Sequence, residues 1–427
     1  MNKKTEEKNK SEFYGWKLVA FGFIFYGLGI APAYYSWGFF APEIISELDL
    51  TRRQIGEIFG LFAMVLALSS LMSAPIIEKF GLRLTVSVGA MVAAFGWFLV
   101  SRADSLLSLY IGYACVGGLG VGCSTLLPAQ TLSVLWFKKY RARATAIIFF
   151  GAAFFGALVN PVNALILDHS NWRFGWVIMS IISLSVAVMT GLFLRNRPED
   201  LGQTPDGGAV ENSSQVSETQ ISLANSLNVD KMFNIKKALL TPQFIIITIA
   251  DIANAMPWRV ITAHGRLHLD NLGFAPSIVA AILGIRVGMS GVGRLTGAAG
   301  DFMKPSHLLM IALILTSVGV ASLQFVNSLV GAYVCVALMG MGYGTAFTVT
   351  PVVFASYFGR DAFVMTAGWR VAITGVVGFW GVSWAGSVAD KTGKYDTALT
   401  FLSVSCLAAA LLIIYIPKNE GLKKSFK

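Results

Sequence analysis

The sequence predicts an all-α integral membrane protein whose twelve transmembrane helices form two pseudo-symmetric six-helix bundles. Three observations carry this. The 427-residue chain is 55% hydrophobic, with a mean hydropathy of +0.66. Only 13% of its residues are charged, against about 25% in a soluble domain. Twelve apolar runs, six on each side of one hydrophilic stretch, are long enough to cross a hydrocarbon core of about 30 Å, which takes about 20 residues.

In chain order, residues 1–16 form a lysine-rich cytoplasmic tail. Apolar runs near 17–40, 54–78, 82–101, 105–136, 143–167 and 173–194 make an N-terminal six-helix bundle over 17–194. The first run is longer than a signal-peptide core and lacks a small-residue cleavage site, so it reads as a retained helix. Residues 195–241 form a cytoplasmic linker, and the stretch GQTPDGGAVENSSQ suits a flexible chain. Runs near 242–269, 276–300, 306–325, 329–357, 363–389 and 396–416 build a C-terminal bundle over 242–416, and 417–427 is a cytoplasmic tail.

Placing the N-terminus in the cytoplasm puts most lysines and arginines on that side, among them Lys138, Lys139, Arg141, Arg143, Lys236, Lys237 and the Lys423, Lys424, Lys427 tail. The positive-inside rule then gives an even number of spans with both termini cytoplasmic, in a multi-pass protein of the plasma or inner membrane. The formal charge of +10 and pI near 9.4 are dispersed through short loops. They read as topogenic, so the expected partner is the lipid bilayer and not nucleic acid. Cys115, Cys123, Cys335 and Cys406 lie inside apolar runs without C-x-x-C spacing and read as packing residues.

The halves share a plan. Gly118-x-Gly120-x-Gly122 leads to Pro128 and Trp136-Phe137, as Gly340-x-Gly342-x-Gly344 leads to Pro351 and Tyr357-Phe358. With no strand before them these series are not phosphate loops; small residues at this spacing let helices pack closely. The turn after each second span also recurs, as Glu78-Lys79-Phe80-Gly81-Leu82-Arg83 and as the stretch from Gly297 to Lys304. This pattern resembles the loop G-x-x-x-D-x-x-G-R-[KR] of the major facilitator superfamily, with Ala74 and Glu78 in place of the first glycine and the aspartate. The resemblance implies two bundles rocking around a midplane site.

Three stretches resemble the oxalate/formate antiporter and monocarboxylate transporter group more closely. They are FYGWKLVAFGFIFYGLGIAPAYYSWGFFAPEI, WFKKYRARATAI and AHGRLHLDNLGFAPSIVAAILGIRVGMSGVGRLTGAAGD. The resemblance implies that His264 is the histidine of that pattern and that Arg294 is its substrate-carboxylate arginine. Where the group's eukaryotic branch has a carboxylate one turn earlier, this chain has Ser290.

The embedded charges point the same way. Arg259, Arg286, Arg294 and Arg370 interrupt apolar runs, and a guanidinium at bilayer depth costs at least about 2.5 kcal/mol, which marks it as functional by default. Arg286, Ser290 and Arg294 recur every four residues and share one helix stripe, which must face a cavity or a partner, so these three, with Arg370 and His264, are the expected substrate contacts. Helical rise puts Arg294 roughly 10 Å, Arg370 roughly 12 Å and Asp251 roughly 13 Å from the cytoplasmic end, with Arg286 deeper at roughly 22 Å. Asp251, the one acidic residue clearly inside a run, is then a proton-coupling acid or an ion-pair partner of Arg294 or Arg370. Tyr35 and its neighbour Tyr34, Tyr343 in the glycine-rich span and Trp369 beside Arg370 are the aromatic candidates for the cavity wall.

These readings give a secondary active transporter that moves a small organic anion, a monocarboxylate first, by alternating access as a proton symporter or anion exchanger. A dicarboxylate or sulfonate is the alternative cargo, and protons or a counter-anion are the coupled species. A cation or drug efflux carrier would need buried carboxylates in place of arginines, and a non-transporting sensor would need an added signalling domain. No cofactor, metal or enzymatic activity is expected: His264 and His268 form a His-x-x-x-His without the glutamate of a zinc protease.

Overall fold

The computed structural model describes residues 13–137, 140–207, 239–296 and 303–417, and of residues 71, 141–142, 355 and 359–368 only the backbone. The stretch from Gly297 to Phe302, most of the linker, Lys138, Lys139 and the tail lysines lie outside the described residues.

Twelve described helices are long and apolar enough to span a membrane. α1 is Gly15–Leu48, and the hydrogen-bonded run Arg52–Ser101 carries α2 and α3. Gly81 divides that run: its φ of 81° and ψ of 163° are non-helical and favour glycine, so α2 is 52–80 and α3 is 82–101. The sequence places the turn at this residue. α4 is Leu106–Trp136, α5 Arg143–His169 and α6 Trp172–Phe193. In the second half α7 is Pro242–Asn271, α8 Pro276–Thr296, α9 Pro305–Phe325, α10 Leu329–Phe358, α11 Trp369–Thr392 and α12 Asp396–Ile414. No strand occurs among the described residues.

Capping and proline chemistry set several starts. The Thr51 hydroxyl accepts from the Gln54 amide while the Gln54 side chain accepts from the Thr51 amide, a reciprocal cap. Prolines open α7, α8 and α9, where a missing N–H costs nothing.

The two glycine series do the same work in each half. A side chain at Gly120 would stand 2.7 Å from the Gly89 carbonyl of α3, and one at Gly122 would stand 2.6 Å from the Leu66 carbonyl of α2. In the second half Gly340 and Gly344 abut the Arg286 and Ser290 carbonyls of α8, and Gly342 abuts Ala312 and Thr316 of α9. Each series therefore lays the fourth helix of its half against the second and third.

Large apolar side chains such as Leu165, Val188, Leu192, Phe401 and Val404 point outward and are more than half exposed, as a lipid-facing surface requires. Polar contacts across the seam between the halves concentrate on the face opposite the start of α1. There the Asp390 carboxylate of α11 accepts from the Arg52 and Arg53 amides at the start of α2, each at 3.0 Å. Arg266 of α7 grips the Glu43 carboxylate of α1 and donates to the Phe39 carbonyl. Gly38 of α1 abuts the Thr262 carbonyl of α7, and Gly386 of α11 abuts that of Arg52. That face is closed.

Candidate functional site

α7 begins at a Thr241 cap and runs through Pro257 without a break. Pro257 removes one helical N–H, and the next residue, Trp258, becomes the centre of the site. Its ring lies parallel to Tyr343 of α10, centroids 3.9 Å apart and planes 6° apart. The Arg286 guanidinium of α8 sits 4.2 Å from the same ring. Since Tyr343 covers one face, Arg286 must cover the other. Tyr35 of α1 meets the edge of Trp258 at 6.2 Å, so the cluster includes both halves.

Arg286 is held closely. It is 1% exposed, and it donates to the Trp258 carbonyl at 3.2 Å and to the Thr262 hydroxyl at 3.0 Å. Its Nε is buried without a partner. Arg294, two turns along the same helix, is only partly buried. It donates across the seam to the Phe149 carbonyl of α5 at 2.7 Å and lies over the Phe347 ring.

Asp251 of α7 and Arg370 of α11 form an ion pair, and the Thr374 hydroxyl donates to the same carboxylate at 3.0 Å. Shared depth left Arg294 and Arg370 equal as partners; the structure pairs Asp251 with Arg370. The Thr374 carbonyl accepts from Arg259 at 2.6 Å. Among the described residues, no carboxylate forms an ion pair with Arg259, Arg286 or Arg294.

The three tyrosines stand among these cations. Tyr34 is within electrostatic reach of Arg259 and Arg286, Tyr35 of Arg286 and Arg294, and Tyr343 of Arg259 and Arg294. Among the described residues, three guanidinium groups without counter-carboxylates thus stand beside aromatic rings at the seam.

Three residues expected at the site are placed differently. His264 faces the closed seam, its Nε2 3.2 Å from the Val382 carbonyl of α11 and its Nδ1 3.3 Å from the Tyr395 hydroxyl. Residues five apart on a helix diverge by roughly 140°, which turns His264 away from Arg259. Trp369 is 52% exposed and stacks on none of these rings, because adjacent helical residues diverge by about 100°. Ser290 is fully buried, and its hydroxyl donates to the Val287 carbonyl of its own helix; Gly344 packs on its carbonyl. Trp258, Thr262, Thr374 and Phe347 escaped the sequence reading. The available signal was their spacing: Trp258 and Thr262 are four apart, as are Arg370 and Thr374, and side chains at that spacing meet.

Similarity to known proteins agrees with this architecture. The family model for the Major Facilitator Superfamily matches residues 18–369. Monocarboxylate transporter 13 of Bos taurus is 23% identical over 411 residues, covering 95% of this chain and 89% of that protein. The uncharacterized MFS-type transporter YhjX of Escherichia coli (strain K12) is 24% identical over 335 residues, 77% of each chain. Among solved structures, a D-xylose-proton symporter superposes with a TM-score of 0.73 at 15% identity, covering 96% of this chain and 99% of that one. A bacterial homologue of the human lysosomal transporter Spinster, inward-facing and unoccupied, gives 0.69 at 16% identity, covering 95% and 96%. Twelve spanning helices in two like halves, together with a family match over most of the chain, make this protein a member of the major facilitator superfamily, a secondary transporter and not an enzyme.

Proposed function

We propose that the protein carries a small organic anion, a monocarboxylate first, through the seam between its halves. One observation carries the reading: Arg259, Arg286 and Arg294 lie inside spanning helices with no carboxylate paired to them among the described residues. An uncompensated cation at that depth is costly, and an anionic cargo supplies the missing charge. Arginine suits a carboxylate because its planar fork donates two parallel hydrogen bonds.

In this reading Arg294 grips the carboxylate, Arg286 holds the field from behind Trp258, and Tyr35 and Tyr343 stand beside them around the Trp258 ring. Asp251 and Arg370 form the adjoining ion pair through which a proton or a counter-anion is coupled. His264, Ser290 and Trp369 act as packing or surface residues. The match to monocarboxylate transporters supports the cargo class, and the termini sit in the cytoplasm of a cell membrane.

A thermal-shift screen of the purified protein tests the cargo. A ligand at 100 times its dissociation constant stabilises by about 2.7 kcal/mol. Lactate, pyruvate, oxalate, succinate, taurine and isethionate form the panel, with tetraphenylphosphonium as the cationic control. Stabilisation by a carboxylate and none by the cation is expected. The reverse pattern would reject the reading. A dicarboxylate or sulfonate is favoured as second choice by the surplus of cations over a single carboxylate.

A further inference from the structure

The four embedded arginines are not equivalent. Arg370 is neutralised by Asp251. Arg286 is buried, pinned on the Trp258 ring and bonded through both terminal nitrogens. Arg294 and Arg259 are only partly buried, and each spends one terminal nitrogen on a backbone carbonyl, Phe149 and Thr374 respectively. Those two therefore each retain a terminal nitrogen for a ligand.

Arg259 belongs to neither the resemblance to monocarboxylate transporters nor the expected site. We propose that it is a specificity-determining residue of the carrier: it binds a second anionic group where the cargo has one, so that dianions are carried as well as monocarboxylates. This rests on the anion-site reading of the seam.

Three features of the chain place its guanidinium for that role. Gly378 of α11 makes room, since a Cβ there would overlap the Arg259 terminal nitrogen and stand 2.8 Å from its central carbon. The Thr374 carbonyl fixes one nitrogen on α11 at 2.6 Å, and Tyr34 of α1 approaches from the other half. Thr374 also joins Arg259 to the ion pair, because its hydroxyl donates to Asp251. The Arg259 side chain thus links α7 to α11 and, through Tyr34, to α1.

Uptake of radiolabelled propionate, malonate and succinate by proteoliposomes of the full chain at neutral pH tests this. The wild type should take up all three acids. Arg259→Gln should lower malonate and succinate uptake at least about tenfold, the worth of a charged hydrogen bond, and propionate less than about twofold. Gly378→Ala moves the guanidinium without removing its charge and should give the same selective loss. Should Arg259→Gln fail to insert, Gly378→Ala alone decides. Equal losses for all three acids, no loss, or a wild type that takes up only propionate would overturn the role of Arg259 while leaving the anion reading intact. A wild type that takes up none of them but accumulates tetraphenylphosphonium would overturn both.

Discussion

At the residue scale the governing fact is how each guanidinium is compensated. A cation on an aromatic face gains roughly 2 kcal/mol or more when desolvated, and Arg286 combines that contact with two hydrogen bonds. Arg294 has one hydrogen bond, to the other half of the molecule, and its Nε is buried, so its second terminal nitrogen is the donor left for cargo. Arg294→Lys should lower carboxylate uptake at least about tenfold while the protein inserts and purifies normally, because lysine keeps the charge and loses the planar fork. Wild-type uptake by that variant in proteoliposomes would remove Arg294 from the site. Trp258→Ala should cost both anion binding and about 3–5 kcal/mol of stability, since a buried aromatic is lost, whereas Trp258→Phe should keep binding because a face remains for Arg286 and Tyr343. Equal binding losses in the two variants would argue against a positioning role. The arginines were legible in the sequence because charge within an apolar run is conspicuous. Trp258 was not: ten tryptophans lie in this chain, and only the fold tells which of them an arginine covers.

At the scale of elements, the closed face is fastened at two crossings. One joins α1 to α7 through Glu43 and Arg266, the other joins α2 to α11 through the Thr51 cap region and Asp390. A carboxylate at a helix start meets both free amides and the positive end of the helix dipole. Arg266 is 5% exposed and Glu43 31%, so Glu43→Gln should weaken the crossing by about 1–3 kcal/mol, less than the roughly 3–5 of a fully buried pair. Ser383, 6% exposed at this seam, offers a reporter. In a cysteine-free background carrying Ser383→Cys, the added Glu43→Gln should speed labelling by an impermeant maleimide. Unchanged labelling would mean that the ion pair does not hold the face shut. Arg266 and Glu43 escaped the sequence reading because both stand near helix ends, where a charge looks solvated. The glycine series was readable in advance, since its spacing admits few explanations other than close packing, and the carbonyls it meets were supplied by the fold.

At the scale of the whole molecule, alternating access requires that the seam closed here can open, and that the proposed cargo site between the halves changes the face it serves. The number of spans and the two-fold plan could be read from hydropathy, because a bilayer admits few ways to satisfy a backbone. Which face is shut could not, since that depends on pairings between residues far apart in the chain, such as Arg52 with Asp390. The Ser383 hydroxyl donates to Glu57 across the closed seam at 3.3 Å, so cysteines at both positions can be bridged by a short bifunctional methanethiosulfonate. Bridged protein should bind its anion in thermal-shift measurements, because the arginine cluster lies elsewhere along the helices, yet it should lose uptake in proteoliposomes. Reduction of the bridge should restore transport. Full uptake with the bridge in place would mean that this face never needs to part, and the two halves would then have to pass their cargo by some motion other than rocking.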